Sequence, residues 1–341
     1  MPENQPTLEE WRRLYEAWGQ FKEITPWQWM DETQIFGVQD PESGQLGFVS
    51  VMGSLGEHYA IALYLGREGL YGFHALEQAG PEMTPEDVLN VPQLQASFED
   101  REMLHERDRT LIKQLGLKFR GRQAWPLFRS YRPGFAPWFL EAVEVRFLTH
   151  ALTQAQDVAL RFRDNWTLLT RGSHYLVRVA RREKGQLVWQ DQSMAVPPPE
   201  PTSIQLRMDL DALAALRQRP RGGYTLEMDL FMLPSALHDA GERPYYAYSL
   251  LTVDKQSGMI LGQELLQPLP SLLEMYSQIP LKVVYLLSKL GSRPKEIRVR
   301  SPLLYQLLTT LDKELGFKLK SSNRLPRLDS AREELFRFLM R

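Results

Sequence analysis

The 341-residue chain contains no cysteine. Disulfides, thiolate nucleophiles, iron–sulfur clusters and Cys-ligated zinc are therefore excluded, and the absence fits a reducing compartment such as the cytoplasm. No apolar run approaches the ~20 residues needed to cross a bilayer, so no membrane association is expected. The polar, acidic start from Met1 to Glu10 lacks the apolar core of a signal peptide. A dominant charge is missing too. The 41 Lys and Arg stand against 42 Asp and Glu, a net charge of −1, which rules out a uniformly basic or acidic protein.

Several catalytic templates are also absent. No Gly-rich loop ends in Gly-Lys-Ser/Thr, so a Walker-type phosphate cradle is missing. Gly66-Arg67-Glu68-Gly69-Leu70-Tyr71-Gly72 follows a predicted strand but lacks the spacing of a dinucleotide fingerprint, and a helix-capping turn is expected there. Gly53-Ser54-Leu55-Gly56 fails the Gly-x-Ser-x-Gly spacing of a nucleophile elbow. The six histidines, His58, His74, His105, His150, His174 and His238, show no paired metal-ligand spacing.

What is present is enough apolar material for about two domains: 43% hydrophobic and 11% aromatic residues over a length that suits two at ~100–200 residues each. After Thr7, a plausible N-cap, Leu8, Trp11, Leu14, Tyr15 and Trp18 recur at helical spacing, which predicts an amphipathic helix over 8–24, ended by Pro26. Gln34 to Val51, interrupted by the turn cluster Asp40-Pro41-Glu42-Ser43-Gly44, predicts a β-hairpin, and Tyr59 to Leu65 a third strand. A short helix around Leu70 to Glu77 follows. Signals from Thr84 to Phe162 read as mostly helical. The expectation for residues 1–165 is thus an α+β domain with a small antiparallel sheet and a helical layer.

From Trp166 strands dominate. His174–Arg181 and Leu187–Met194 predict a hairpin, and Pro197 to Pro201 a stiff spacer. Leu206-Arg207-Met208-Asp209-Leu210 and Leu226-Glu227-Met228-Asp229-Leu230 share one pattern and read as two half-buried strands of one sheet. Residues 166–341 are expected to form the second domain, with a β-rich part over 166–222 and a βββαβαβα part over 223–341. In the latter, strands at Tyr224–Leu233, Tyr245–Val253 and Met259–Leu266 precede a helix over about 270–290. A strand (Glu296–Arg300), a helix (Pro302–Leu315), a short strand (Phe317–Lys320) and a final helix from about Asp329, read as its N-cap, complete the series. That order is the one found in the ribonuclease H-like fold, a mixed sheet flanked by helices, by analogy of topology.

Enzymes of that fold hold two divalent metals on carboxylates, because in-line phosphodiester hydrolysis needs metals to activate water and neutralise the leaving oxygen. On that plan Asp229, or its same-face neighbour Glu227, falls on the first strand, Glu274 in the first helix and Asp329 at the start of the last. The fourth-strand position falls at Ser301, after Arg298-Val299-Arg300. A carboxylate is missing there and a basic residue stands beside the gap. The expected outcome is therefore no catalysis and no cofactor, with Glu227 and Asp229 facing solvent. The alternative is a Mg-dependent nuclease using Glu227, Asp229, Glu274 and Asp329, with Asp229, Glu274 and Asp329 as metal ligands.

Charge is unevenly placed. Residues 1–165 carry 24 acids and 16 Lys and Arg, and 166–341 carry 18 and 25. Such opposed halves either dock on each other or offer two surfaces to different partners. Residues 111–132 hold six basic residues and no acid, and interleave Lys118, Arg120, Arg122, Arg129 and Arg132 with Phe119, Trp125, Phe128 and Tyr131. Stacking aromatics between guanidinium groups are what single-stranded nucleic acid binding uses, so Lys118, Arg120, Arg122, Trp125, Arg129 and Arg132 are candidates for a nucleic-acid or anion site. The competing expectation is a loop whose aromatics pack inward and whose arginines pair with nearby acids. Residues 293–341 form a second basic region, with 12 Lys and Arg against six acids; Arg332 and Arg337 on the last helix there complement its C-terminal dipole.

The phrase Ile35-Phe36-Gly37-Val38-Gln39-Asp40-Pro41-Glu42, with Val51-Met52-Gly53 and Tyr64-Leu65-Gly66, resembles a bacterial family built of two domains of unknown function. So do Gly116 to Gly121, Trp125-Pro126 and Pro133 to Phe139. The resemblance implies a split near residue 165 and a bacterial cytoplasmic setting. It brings no activity, cofactor or catalytic residue. The function expected is interaction or binding, with a protein partner or self-association ahead of nucleic acid.

Overall fold

The computed structural model describes residues 4–169, 173–200, 203–238 and 242–339. They divide into two units, one holding Met1–Arg132 with Pro137–Glu200, the other Pro133–Ala136 with Pro201–Arg341. The hairpin expected over residues 174–194 falls in the first unit, which runs to Glu200. The charge asymmetry softens but survives: 27 acids and 21 Lys and Arg in the first unit, 15 and 20 in the second.

The first unit is built on a seven-stranded sheet, β1 (Phe36–Gln39), β2 (Leu46–Met52), β3 (Ala60–Leu65), β4 (Gln93–Glu99), β5 (Trp125–Tyr131), β6 (His174–Glu183) and β7 (Gln186–Ala195), in the order β5-β4-β3-β2-β1-β6-β7. The expected small antiparallel sheet is thus larger and mixed, because β6 runs parallel to β1 while every other neighbouring pair is antiparallel. Strands that point the same way need a crossover, and α5 (Ala142–Asp164) supplies it between β5 and β6. Its 23 residues span about 34 Å at ~1.5 Å per residue, against about 24 Å for the five strand spacings to be crossed.

Helix α1 (Leu8–Ile24) begins at the expected Thr7, whose hydroxyl accepts from the Glu10 amide while the Glu10 carboxylate accepts from the Thr7 amide at 2.7 Å. It ends at Thr25, in the left-handed conformation, followed by Pro26. Its buried stripe of Trp11, Leu14, Tyr15, Trp18 and Phe21 packs with α5 on the sheet face carrying Val49, Ile61, Leu63, Leu94 and Phe128. The opposite face carries Phe48, Ala62 and Tyr64 and meets α2 (Gly66–Ala79) through Leu70 and Phe73. Close approach there requires Gly69, where a Cβ would lie 2.7 Å from the Tyr64 carbonyl carbon. Between β3 and α5 lie α3 (Pro85–Leu89) and α4 (Glu106–Gln114), but β4 and β5 occupy stretches whose periodicity reads as helical. In β5 the inward residues are Pro126, Phe128 and Ser130, and Pro126 is tolerated because β5 is an edge strand.

The second unit holds α6 (Leu210–Arg217), β8 (Thr225–Leu237), β9 (Tyr245–Asp254), β10 (Ile260–Leu266), α7 (Leu272–Ser277), α8 (Ile279–Ser288), β11 (Glu296–Val299), α9 (Pro302–Leu315), β12 (Lys318–Ser321) and α10 (Pro326–Leu339). Its five strands run in the order β10-β9-β8-β11-β12, with β9 antiparallel to both neighbours and β8, β11 and β12 mutually parallel. Leu226, Met228, Ile297 and Val299 point to one side, into a core with α6, α8 and α9. Phe231, Leu251 and Val253 point to the other, where Leu328 and Ala331 of α10 cover them.

Three details differ from expectation. Residues 203–209 form no strand; Asp209 instead caps α6, accepting from the Ala212 amide at 2.9 Å, so the shared Leu-x-Met-Asp-Leu pattern has two different structures. The helix expected over 270–290 is two helices that meet at Gln278, with Pro280 in the first turn of the second. The last helix starts at Pro326, which places Asp329 inside it rather than at its cap.

The α1 face yields a stability prediction. Trp18 is fully buried, its ring stacks on Phe98 at 4.4 Å, and its indole N–H donates to the Ser97 carbonyl at 3.3 Å. Trp18→Ala should lower unfolding free energy by about 3–5 kcal/mol in urea titration, and a loss below about 1 kcal/mol would show that α1 is not part of the cooperative core.

Candidate functional site

The two-residue period of β8 puts Glu227, Asp229 and Phe231 on the α10 side of the sheet. The expectation that the two carboxylates face solvent fails there: Glu227 is fully buried and Asp229 is 3% exposed. Burying a carboxylate costs several kcal/mol unless hydrogen bonds or a countercharge replace water. Glu227 is half satisfied by the helix above it, its Oε1 being buried with no hydrogen-bond partner among the described residues. Its Oε2 accepts the amide N–H groups of Arg327 and Leu328, each at 3.0 Å, in the first turn of α10, where N–H groups have no partner within the helix.

Asp229 is satisfied differently. Its Oδ1 accepts from the Leu230 amide at 3.1 Å, and its Oδ2 lies 3.5 Å from Nη1 of Arg300. Arg300 follows β11 directly and precedes Ser301, the N-cap of α9. The same guanidinium donates through Nη2 to Oδ1 of Asp329 at 2.5 Å, and Arg332 stands 3.8 Å from that oxygen. Burial pushes the Asp229 carboxyl pKa above the usual carboxylate range, and Arg300 opposes that rise. The gap foreseen at the end of the fourth strand is therefore filled by a cation that joins two of the carboxylates that the nuclease alternative assigns to metal.

Three of the four acids, Glu227, Asp229 and Asp329, come to one side of the sheet. Glu274 does not join them. It lies in the first turn of α7 and accepts from Arg207, while its neighbour Met275 packs into the core on the opposite side. Among the described residues no group of three or more His, Asp or Glu side chains is arranged to hold a metal ion. The donor set also does not fit two divalent metals, because one Glu227 oxygen is bonded to α10 amides and Arg300 stands between Asp229 and Asp329. On the same sheet face, Glu296 accepts from Arg298 at 2.6 Å and pairs with Lys320 at 2.7 Å. These bonds outweigh its burial and hold its pKa below the usual range.

In the first unit the basic segment divides. Arg129 forms a bidentate pair with Asp108, at 2.6 and 3.0 Å, and both side chains are largely buried. Arg132 bonds Glu141 at 2.6 Å and Glu144 at 3.0 Å. These two arginines hold the fold, and Phe128 packs inward. Lys118, Arg120 and Arg122 are exposed, with Arg122 3.8 Å from Asp100. Arg120 and Arg122 lie near the half-buried Trp125, over whose ring Arg101 sits at 5.8 Å. Arg120, Arg122 and Trp125 share the lining of an open pocket of about 570 Å³ with Asp100 and Glu102.

Sequence spacing gave no sign of two histidine contacts. His74 lies between Glu77, at 2.9 Å, and the Tyr175 hydroxyl, at 2.7 Å. Tyr131 donates to Gln95 Oε1 at 2.6 Å, and Gln95 Nε2 stands 3.3 Å from His58 Nε2. Only the pairing of β4 with β5 brings Gln95 and Tyr131 together.

Comparison with known families places this geometry. Residues 11–178 match the domain of unknown function DUF7309, and residues 212–336 match a second, DUF6930. The chain carries two domains of unknown function. No curated protein matches it. The DUF6930 region contains the whole Glu227, Asp229, Arg300 and Asp329 cluster, and the DUF7309 region contains strands β1 to β5, helices α2 to α5 and α1 from Trp11 onward. Among the described residues no helix is long and apolar enough to cross a membrane.

The cluster predicts a pH-dependent defect. A carboxyl whose folded pKa is raised makes the folded state take up protons, so its contribution to stability falls as pH rises through that pKa. Removing Arg300 raises the Asp229 pKa further and moves this loss to higher pH. Arg300→Ala should cost about 2 kcal/mol near pH 7.5 and less near pH 5, and Asp229→Asn in that background should restore part of it. Equal losses at both pH values in urea titration would show that Arg300 acts through packing alone.

Proposed function

We propose that the protein is a non-catalytic interaction protein whose second unit is a ribonuclease H-like scaffold with an ion-pair network at the position of the metal chemistry. Two features support the topology. The strand order, counted within that unit, is 3-2-1-4-5, and its second strand alone runs antiparallel to the rest. This is analogy of fold and carries no activity with it. The observation that carries the non-catalytic reading is Arg300, whose guanidinium bridges Asp229 and Asp329. A fixed cation there replaces the charge a metal would supply but has no open coordination position for water. The occupant this reading carries is another protein or a second copy of the chain. A bacterial cytoplasm is its setting, which the lack of cysteine suits.

Incubation with RNA–DNA hybrid, single-stranded RNA and single-stranded DNA in Mg²⁺ or Mn²⁺ should give no cleavage above that of Asp229→Asn. Saturable, metal-dependent turnover that Asp229→Asn abolishes would overturn the reading in favour of a nuclease.

One observation favours a second reading, single-stranded nucleic acid binding by the first unit. Lys118, Arg120 and Arg122 remain exposed, the two arginines beside Trp125, although Asp100 and Glu102 offset part of their charge. Fluorescence titration with a labelled oligonucleotide should then show affinity that falls steeply with salt, through counterion release, and falls further in Arg120→Ala or Trp125→Ala. Absent or salt-insensitive binding rejects it.

A further inference from the structure

The first unit contains a cavity of about 480 Å³ that neither reading uses, and it shares no lining residue with the pocket around Trp125. Trp11 and Tyr15 of α1 supply one wall, α4 and its cap His105 another, and Phe128 of β5 and Phe139 complete the aromatic surface. The volume is that of a small-molecule site.

Its open polar groups are mostly donors. Trp11 is 8% and Tyr15 6% exposed. Among the described residues neither the Trp11 indole N–H nor the Tyr15 hydroxyl makes a hydrogen bond, whereas the indoles of Trp18 and Trp29 in the same unit each donate to a backbone carbonyl. Neither atom is sealed inside the protein, so each reaches solvent where its side chain lines the cavity. Burial, reinforced by Asp108 and opposed by Arg129, holds the Tyr15 pKa well above the ordinary tyrosine value, which keeps the hydroxyl a donor. His105 adds a third donor. Its Nδ1 accepts the Arg107 amide at 3.1 Å, so the neutral ring carries its proton on Nε2, which has no hydrogen-bond partner among the described residues. Arg107 is exposed and makes no ion pair among the described residues. Its guanidinium lies over the Phe139 ring at 4.3 Å, a cation held on the cavity wall.

Two acids also line the cavity. Asp108 is occupied, its Oδ1 accepting from Arg129 and its Oδ2 from Arg129 and the His105 amide. Glu106 is exposed and precedes Arg107 in the chain, and the remaining polar side chains, Thr110 and Gln114, are neutral.

We propose that this cavity binds an aromatic carboxylate with a neutral oxygen acceptor at its far end, the carboxylate on Arg107 and His105, the ring against Trp11 and Phe128, and the acceptor on the Tyr15 hydroxyl. A carboxylate buried beside Tyr15 would lack a free countercharge, because Arg129 is held by Asp108, so the anionic end belongs with the exposed Arg107. A cation would find Glu106 alone, and a hydrocarbon would displace water from Trp11 and Tyr15 with no acceptor to replace it. The site lies in the first unit and stands or falls independently of the reading of the second.

The test is isothermal titration of the full chain with phenylpropanoates that carry hydrogen, hydroxyl or acetyl at the para position, each paired with the primary amine and the alcohol of the same skeleton. At least one para-oxygenated carboxylate should bind saturably at one site, at least about tenfold tighter than its amine, its alcohol and the unsubstituted carboxylate. Arg107→Gln should abolish the preference for carboxylate over alcohol and keep the preference for the para oxygen. Tyr15→Phe should do the reverse. Because the hydroxyl it removes bonds nothing among the described residues, it should leave the melting temperature within about two degrees of the parent's. The indole N–H NMR signal of Trp11, identified by its loss in Trp11→Phe, should shift on titration. The proposal is overturned if no carboxylate binds below about 10 mM, if amine or alcohol binds as tightly as the carboxylate, if either variant keeps the preference it should lose, or if the Trp11 signal stays fixed.

Discussion

The central strand of the second unit carries two carboxylates two residues apart, and the pleat sends both into the layer beneath α10. Neither Glu227 nor Asp229 can reach bulk water from there, so whatever covers that face must satisfy them. The first is met by backbone: α10 starts with its free amides directed at Glu227. The second is met by a side chain, Arg300, delivered by the neighbouring parallel strand. Arg300 in turn ties Asp329 on α10, so the strand, the β11–α9 junction and the last helix are fixed to one another by a single guanidinium. Position and angle of α10 follow from that demand as much as from the Phe231, Leu328 and Ala331 contacts.

A comparable constraint shapes the first unit. Seven strands at ~4.8 Å make a sheet about 29 Å across between its outermost strands. The 23-residue α5, with α1 beside it, can span one face. The 14-residue α2, about 21 Å long, cannot span the other. The part of the second face that α2 leaves bare is polar or aromatic: Gln93, Gln95 and Tyr131 stand where a covered strand would carry Val or Leu. A cavity lined by these residues is what remains when a short helix covers a wide sheet.

The legible parts of the sequence are those governed by local rules. The Thr7 cap, the β1–β2 hairpin and the order of strands and helices after residue 223 emerge from spacing and turn chemistry. Strands β4 and β5 do not, because Gln93, Gln95, Arg129 and Tyr131 break the apolar alternation on their partly open face. The pattern at Leu206–Leu210 misleads for the opposite reason: local alternation is present, but no neighbouring strand pairs with it. Alternation also showed that Glu227 and Asp229 share a face without showing that α10 would cover it. The basic run over 111–132 looked continuous because the acids that neutralise Arg129 and Arg132, Asp108, Glu141 and Glu144, lie just outside it in sequence.

The missing fourth-strand carboxylate was visible in the sequence, but its meaning depends on where Arg300 points. Had that side chain turned to solvent, Asp229 and Asp329 would stand as two acids short of a metal site. Directed inward, it joins the two acids to each other. A guanidinium remains protonated across the physiological range, its planar donors suit carboxylate oxygens, and it cannot dissociate as a metal can. The positive charge in the cluster is therefore permanent rather than ligand-dependent. A scaffold stabilised in that way gains a firmly seated α10 and loses the exchangeable coordination positions on which metal-assisted hydrolysis relies.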